Sequence, residues 1–233
     1  MYDVCVLITI LTCIIESKYT LNRHIIDLTL PFEDGKLGVE IEPQKRFEDV
    51  NYNTSLLHFN SHALTHMDAP LHFLKDGYDI ADMPLERCIG EALVIDVTHK
   101  APNSFITVDD LGVQADDIGA GSRVLLRTDW SLRADEPDYR EAYPRISLAL
   151  AQWFAEKQIY LIGIEMPSVA SMHPDNRQEL IDVHQTLLNA EIVIIEGLAN
   201  LHALTQPTVE FVALPLKITG SDGSPVRAIA IEP

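Results

Sequence analysis

From position 25 onward, apolar runs alternate with short polar punctuation. Residues 25–30 are strand-like and stop at Pro31. Turn signals follow at Asp34-Gly35 and Gly38, and residues 39–60 carry strand formers enough for one or two strands. Residues 91–97 and 123–128 read as buried strands, with a short helix between them that Thr107 can cap. The acidic segment 134–144 reads as a surface loop. Ser147 can cap a helix over 148–157, whose apolar positions include Leu148, Ala151 and Phe154. A strand at 160–164, a helix at 177–190 and a strand at 191–195 come next, and strands at 211–216 and 226–231 close the chain. Strands outnumber helices, yet two helices alternate with buried strands. The pattern predicts a single α/β (α+β) domain with a mixed sheet.

Before this domain lies a continuous apolar run at 4–15. It is too short to span a bilayer as a helix. No positive charge precedes it and no clear small-x-small site follows it. We read residues 1–23 as an apolar extension, or an added strand, ahead of a domain at 24–233. That reading implies a cytoplasmic protein; the alternative is a secretion signal and an exported one. Cys5, Cys13 and Cys88 form neither a CxxC pair nor a disulfide framework, which suits a reducing compartment.

The whole chain has 233 residues, is 47% hydrophobic and carries a formal charge of −18. That balance is enough for one substantial core. With no basic run, neither nucleic acid nor an anionic membrane is an expected partner, so the expected partner is a small molecule.

One stretch changes the picture from fold to chemistry. His62, His66, Asp68 and His72 fall within eleven residues. On a helix, His62 and His66 would share a face. Pro70 turns the chain extended at Ala69, so that Asp68 could swing back towards them. Two imidazoles and a carboxylate suit Zn, Mn or Fe(II). His72 is placed to act on a metal-activated water rather than to hold the metal. Farther along, His184 lies in the helix at 177–190 and Glu196 ends the strand at 191–195. Taken alone, these two read as a surface histidine and a loop-capping carboxylate. Glu165, at another strand end, is a candidate to orient a ligand imidazole. His58, His99, His173 and His202 read as structural or solvated, and Trp130 and Trp153 as core. No Gly-x-Ser-x-Gly elbow and no Gly-rich phosphate loop is present.

His-x-x-x-His-x-Asp-x-Pro-x-His-Phe resembles the signature of the cyclase-like metal hydrolases, among them bacterial kynurenine formamidase and isatin hydrolase. In that family the motif reads His-x-Gly-Thr-His-x-Asp-x-Pro-x-His. A downstream His with a Glu twelve positions later completes it, a spacing matched by His184 and Glu196. The segment Ile-Ile-Asp-Leu-Thr at 25–29 resembles the family's first strand, and Glu196-Gly197-Leu198 its Glu-Asn-Leu. The resemblance implies a swivelling β/β/α domain, assembled as a homodimer or homotetramer. It implies that His62, His66 and Asp68 hold one metal, that Asp68, His184 and Glu196 hold or complete a second, and that His72 is the general acid or base. The metal implied is Zn or Mn, one or two per chain. The activity implied is hydrolysis of a small amide, an aryl formamide such as N-formylkynurenine or a lactam such as isatin. Cyclisation or dehydration of a small carboxylic acid, and metal binding without turnover, are the alternatives. Two departures stand out: Leu64 occupies the family's Gly position, and residues 31–50 lack the Trp that packs on an aromatic substrate in kynurenine formamidases.

Overall fold

Strands β5 (Ile89–Asp96), β7 (Arg123–Arg127), β9 (Leu161–Ile164) and β10 (Val193–Glu196) run parallel and form the centre of one sheet. Antiparallel strands flank them: β11 (Thr208–Pro215) on β5, β12 (Gly223–Glu232) on β11, and β1 (His24–Asp27) on β12. The short β4 (His66–Asp68) pairs with β10 on one side and with the start of β12 on the other. This double pairing closes the mixed sheet into a barrel-like wall. The computed structural model describes residues 23–233, so the apolar run at 4–15 lies outside the described residues.

Alternation along the central strands builds two cores, one on each face. Leu125, Leu161, Val193 and Ile195 point to the barrel interior with Met67, Phe211 and Ala228. Val124, Leu126, Ile162 and Ile194 point outward. That outer face is covered by two helices, α1 (Leu148–Lys157) and α2 (Arg177–Asn189). The Ser147 hydroxyl accepts from the Leu150 N–H at 3.1 Å and starts α1, as its sequence predicts. Helix α2 buries Val183, His184, Leu187 and Leu188 as one stripe.

Three expectations need correction. No helix spans His62–His66: the chain there is an irregular turn, and His66 opens β4. Sheet closure decides this, because β4 is held by ladders on both edges. The first strand stops at Asp27, where the Asp27 carboxylate accepts from the Thr29 N–H and turns the chain. The segment 134–144 is irregular, as expected, but it is not simply a surface loop. Tyr139 and Tyr143 are both buried, and their hydroxyls donate to the carbonyls of Glu165 and Ala170.

Two short pairs lie outside this sheet, one of them the parallel β6 (Phe105–Ile106) and β8 (Arg145–Ile146). Among the described residues, strands β2 (Glu40–Lys45) and β3 (Thr54–His58) pair only with each other, in a hairpin of mostly exposed residues.

A candidate metal centre at the closure of the sheet

Strand periodicity, not helical periodicity, builds the centre. His66 and Asp68 are two apart on β4 and share a face, while Met67 points to the barrel interior. Glu196 is paired opposite His66. His184 comes down from α2, and His62 comes from the turn before β4. The Nε2 of His66 lies 3.5 Å from Asp68 and 3.4 Å from Glu196, and the Nε2 of His184 lies 3.8 and 3.5 Å from the same two carboxylates. The Nδ1 of His62 is 2.9 Å from Asp68. Two triads of donor atoms result, His62–His66–Asp68 and Asp68–His184–Glu196, and they share Asp68.

Backbone carbonyls set the tautomers of the inner rings. The Nδ1 of His66 donates to the Leu64 carbonyl at 2.9 Å, and that of His184 to the Leu180 carbonyl at 2.7 Å. Each ring therefore presents Nε2 to the carboxylates, the orientation a cation needs. Leu64 adopts a left-handed φ of 54°, which bends its carbonyl into this role. Thr65 is a structural clamp: its hydroxyl donates to the Gly197 carbonyl and accepts from the Leu30 N–H.

Electrostatics single the cluster out. His66, Asp68, His184 and Glu196 are all buried. Burial opposes charge on His66, but Asp68 and Glu196 outweigh it and push its pKa up to about 10. His184 is raised in the same way, mainly by Glu196 against burial. Burial would raise Asp68, yet His62 and His66 hold it well below the ordinary carboxylate range. The cluster thus demands positive charge between its carboxylates. Two of its buried atoms, His66 Nε2 and Asp68 Oδ2, have no hydrogen-bond partner among the described residues. Such orphans cost about 1–3 kcal/mol each unless something satisfies them. A divalent cation does, so the donor set fits one.

His72 sits at the rim, in a 3₁₀ turn (Pro70–His72). Its ring stacks on His62 at 3.8 Å, and its Nδ1 is 3.2 Å from Asp222. Its side chain is 27% exposed, against 18% for His62, 3% for His66 and 2% for His184, so it is more open than the two inner rings. Burial, helped by His62 and His184 and opposed by Asp68, lowers its pKa.

Of the residues expected at the site, His62, His66, Asp68, His72, His184 and Glu196 are brought together. Glu165 is not among them. Its carboxylate accepts from the Thr128 and Asp129 N–H groups and from Ser131, and touches no ligand imidazole. It instead supports the segment leading to Tyr139. Asp222 belongs to the cluster and was missed, because Asp222-Gly223 reads in sequence only as a turn. Tyr139 and Arg140 were missed as well. They line a small cleft touching His62 and His66, together with Leu37 and Leu64. The same four residues form one wall of a larger cavity of about 600 Å³.

A family model described as Cyclase matches residues 26–171. A kynurenine formamidase from Bacillus cereus is 34% identical over 215 residues, spanning 92% of this chain and 95% of its own. Isatin hydrolase A from Ralstonia solanacearum superposes with a TM-score of 0.81 at 25% identity, covering 96% of this chain and 97% of its own. A structure described as a potential metal-dependent hydrolase with cyclase activity gives a TM-score of 0.71 at 28% identity, covering 91% of this chain and all of its own.

Proposed function

This chain belongs to the cyclase family, and from that membership we propose how its residues divide the work of hydrolysis. It is a metal-dependent amide hydrolase, acting on a C–N bond outside peptides, in keeping with its kynurenine formamidase and isatin hydrolase relatives. Its substrate is an aryl formamide such as N-formylkynurenine or a lactam such as isatin. The catalytic domain is residues 24–233, with 1–23 an apolar extension. Among the described residues no helix is long and apolar enough to cross a membrane.

His62, His66 and Asp68 would hold one divalent ion, and Asp68, His184 and Glu196 a second, with Zn or Mn as the metal. The observation that carries this reading is the pair of orphaned buried atoms, His66 Nε2 and Asp68 Oδ2, within reach of three further donors. A divalent ion bound there supplies the Lewis acidity that polarises an amide carbonyl and makes hydroxide available near neutral pH. The protein does the rest. The carbonyls of Leu64 and Leu180 hold two imidazoles in register. The Leu37, Leu64 and Tyr139 wall keeps the substrate against the centre and limits water. His72, neutral near pH 7, takes a proton during attack and returns one to the leaving nitrogen.

The test is metal content and turnover in parallel. Purified wild type is expected to carry about one or two Zn or Mn per chain and to release formate from aryl formamides or open a lactam ring. His66→Ala should lose both metal and turnover. His72→Ala should keep the metal and lose about 10²- to 10⁴-fold in kcat. Wild type that binds neither Zn nor Mn when supplied with them would sink the reading.

A further inference from the structure

Asp222 lies just before β12, and its position is set from both sides. Its carbonyl accepts from the Ala69 N–H at 2.9 Å, and the next residue, Gly223, is paired with Asp68. Gly223 is required where it stands. A Cβ there would lie 2.7 Å from His62 Cε1 and 2.9 Å from the Met67 carbonyl, so the His62 ring rests directly on this backbone. The Asp222 carboxylate then meets three side chains. Oδ1 accepts from the Ser61 hydroxyl at 2.8 Å, and Oδ2 faces His62 Nε2 at 3.1 Å and His72 Nδ1 at 3.2 Å.

We propose that Asp222 is a positioning residue that fixes, on each of the two outer imidazoles, the nitrogen that keeps its hydrogen. The inference rests on the hydrolase reading only for its catalytic consequence. A carboxylate can only accept, so each ring nitrogen facing it carries a hydrogen. His62 lies between two carboxylates, Nδ1 facing Asp68 and Nε2 facing Asp222; Asp222 keeps the hydrogen on Nε2, so the nitrogen that a cation beside Asp68 can take is Nδ1. In neutral His72 the hydrogen is on Nδ1, which leaves Nε2 as the basic nitrogen. One oxygen just before the last strand therefore holds the hydrogen on Nε2 of one ring and on Nδ1 of the ring stacked against it. It makes one ring a ligand and the other a proton carrier.

The trio could also be read as a third cation site. The geometry argues against that. These contacts are satisfied hydrogen bonds between a half-exposed carboxylate and two rings, whereas the inner cluster keeps orphaned buried atoms.

The experiment pairs side-chain nitrogen NMR with metal titration and kinetics on wild type, Asp222→Ala and Asp222→Asn. In metal-free wild type at about pH 8, neutral His72 should show the Nδ1–H tautomer, which free imidazole disfavours. Asp222→Ala should return it to Nε2–H. The same variant should bind Zn or Mn about 10- to 100-fold more weakly. At saturating metal its kcat should fall by a similar factor, with KM little changed. Asp222→Asn, whose amide oxygen can still accept, should fall between wild type and Asp222→Ala on all three measures. It also serves if the Ala variant does not fold. A wild-type His72 found as Nε2–H, or one whose tautomer ignores both substitutions, overturns the proposal. An Asp222-dependent Nδ1–H signal in a protein that neither holds metal nor turns over would uphold it and defeat the hydrolase reading instead.

Discussion

Leu64 and Gly197 meet back to back at the edge of the centre, both with positive φ, 54° and 66°. A Cβ on residue 197 would lie within 2.4 Å of the Leu64 carbonyl oxygen, a backbone atom that also accepts from His66. Backbone cannot yield as a side-chain tip does. Gly197→Ala is therefore expected to cost about 2 kcal/mol or more, from left-handed strain plus the clash. Urea unfolding would measure it. The cyclase-like hydrolases that this chain resembles have Gly at position 64 and Asn at 197, so the glycine sits on the other side of the same contact. Leu64→Gly should then offset part of the damage done by Gly197→Asn, with a coupling of about 0.5–3 kcal/mol in a double-mutant cycle. Simple additivity of the two changes would refute a shared constraint. Leu64 also illustrates what a lone sequence hides: its departure from the family pattern is visible, but the partner that compensates for it lies 133 positions away.

At the scale of elements, local capping is written plainly in the chain and long-range support is not. Thr107 opens a 3₁₀ segment (Val108–Asp117), where the Asp110 carboxylate accepts from the Thr107 N–H and hydroxyl at 2.7 and 2.8 Å. Burial works against ionised Asp110, but bonds from His99, Lys100 and Thr107 overcome it and hold its pKa well below the ordinary range. A lowered folded pKa means stability that is present above the unfolded value of about 3.9 and lost as pH falls through the folded one. Asp110→Asn should thus be about 1 kcal/mol less stable than wild type at pH 7. The gap should shrink steadily below about pH 4. A gap that does not change between pH 7 and pH 3 would assign the effect to something other than this carboxylate's charge. Glu165 shows the opposite case. Its position at a strand end is legible, but the donors it satisfies come from residues 128–131 on the neighbouring strand's exit, so only the fold reveals what it supports.

For the molecule as a whole, the β2–β3 hairpin is, among the described residues, an arm outside the closed sheet. It carries exposed Phe47, Tyr52, Leu56 and Leu57, and an isolated two-stranded hairpin is marginal in water. A second copy of the chain covering this arm would account for the apolar residues and for the homodimer or homotetramer expected from the family resemblance. The double variant Phe47→Lys with Leu56→Lys is expected to lower the mass seen by light scattering to that of one chain, with the metal centre unaffected. A wild-type protein that is already monomeric at micromolar concentration would dismiss this role for the hairpin.

What the sequence determined by itself is local or periodic. Short apolar runs located the central strands. The Ser147 cap and the apolar stripe of 177–190 located the two long helices. The density of His and Asp between 62 and 72 marked the site, because these properties depend on neighbours within a few residues. His184 and Glu196 joined the site through a family resemblance, since nothing near them in sequence distinguishes a buried donor from a surface one. Tertiary structure decided the rest. It made the His motif a turn and a strand, since β4 is pinned between β10 and β12. It buried Tyr139 and Tyr143 from what reads as a polar loop. It brought Asp222 across 150 positions to His72. Ring closure of a sheet is a long-range event, and an Asp-Gly pair carries no local sign of which imidazole it will meet.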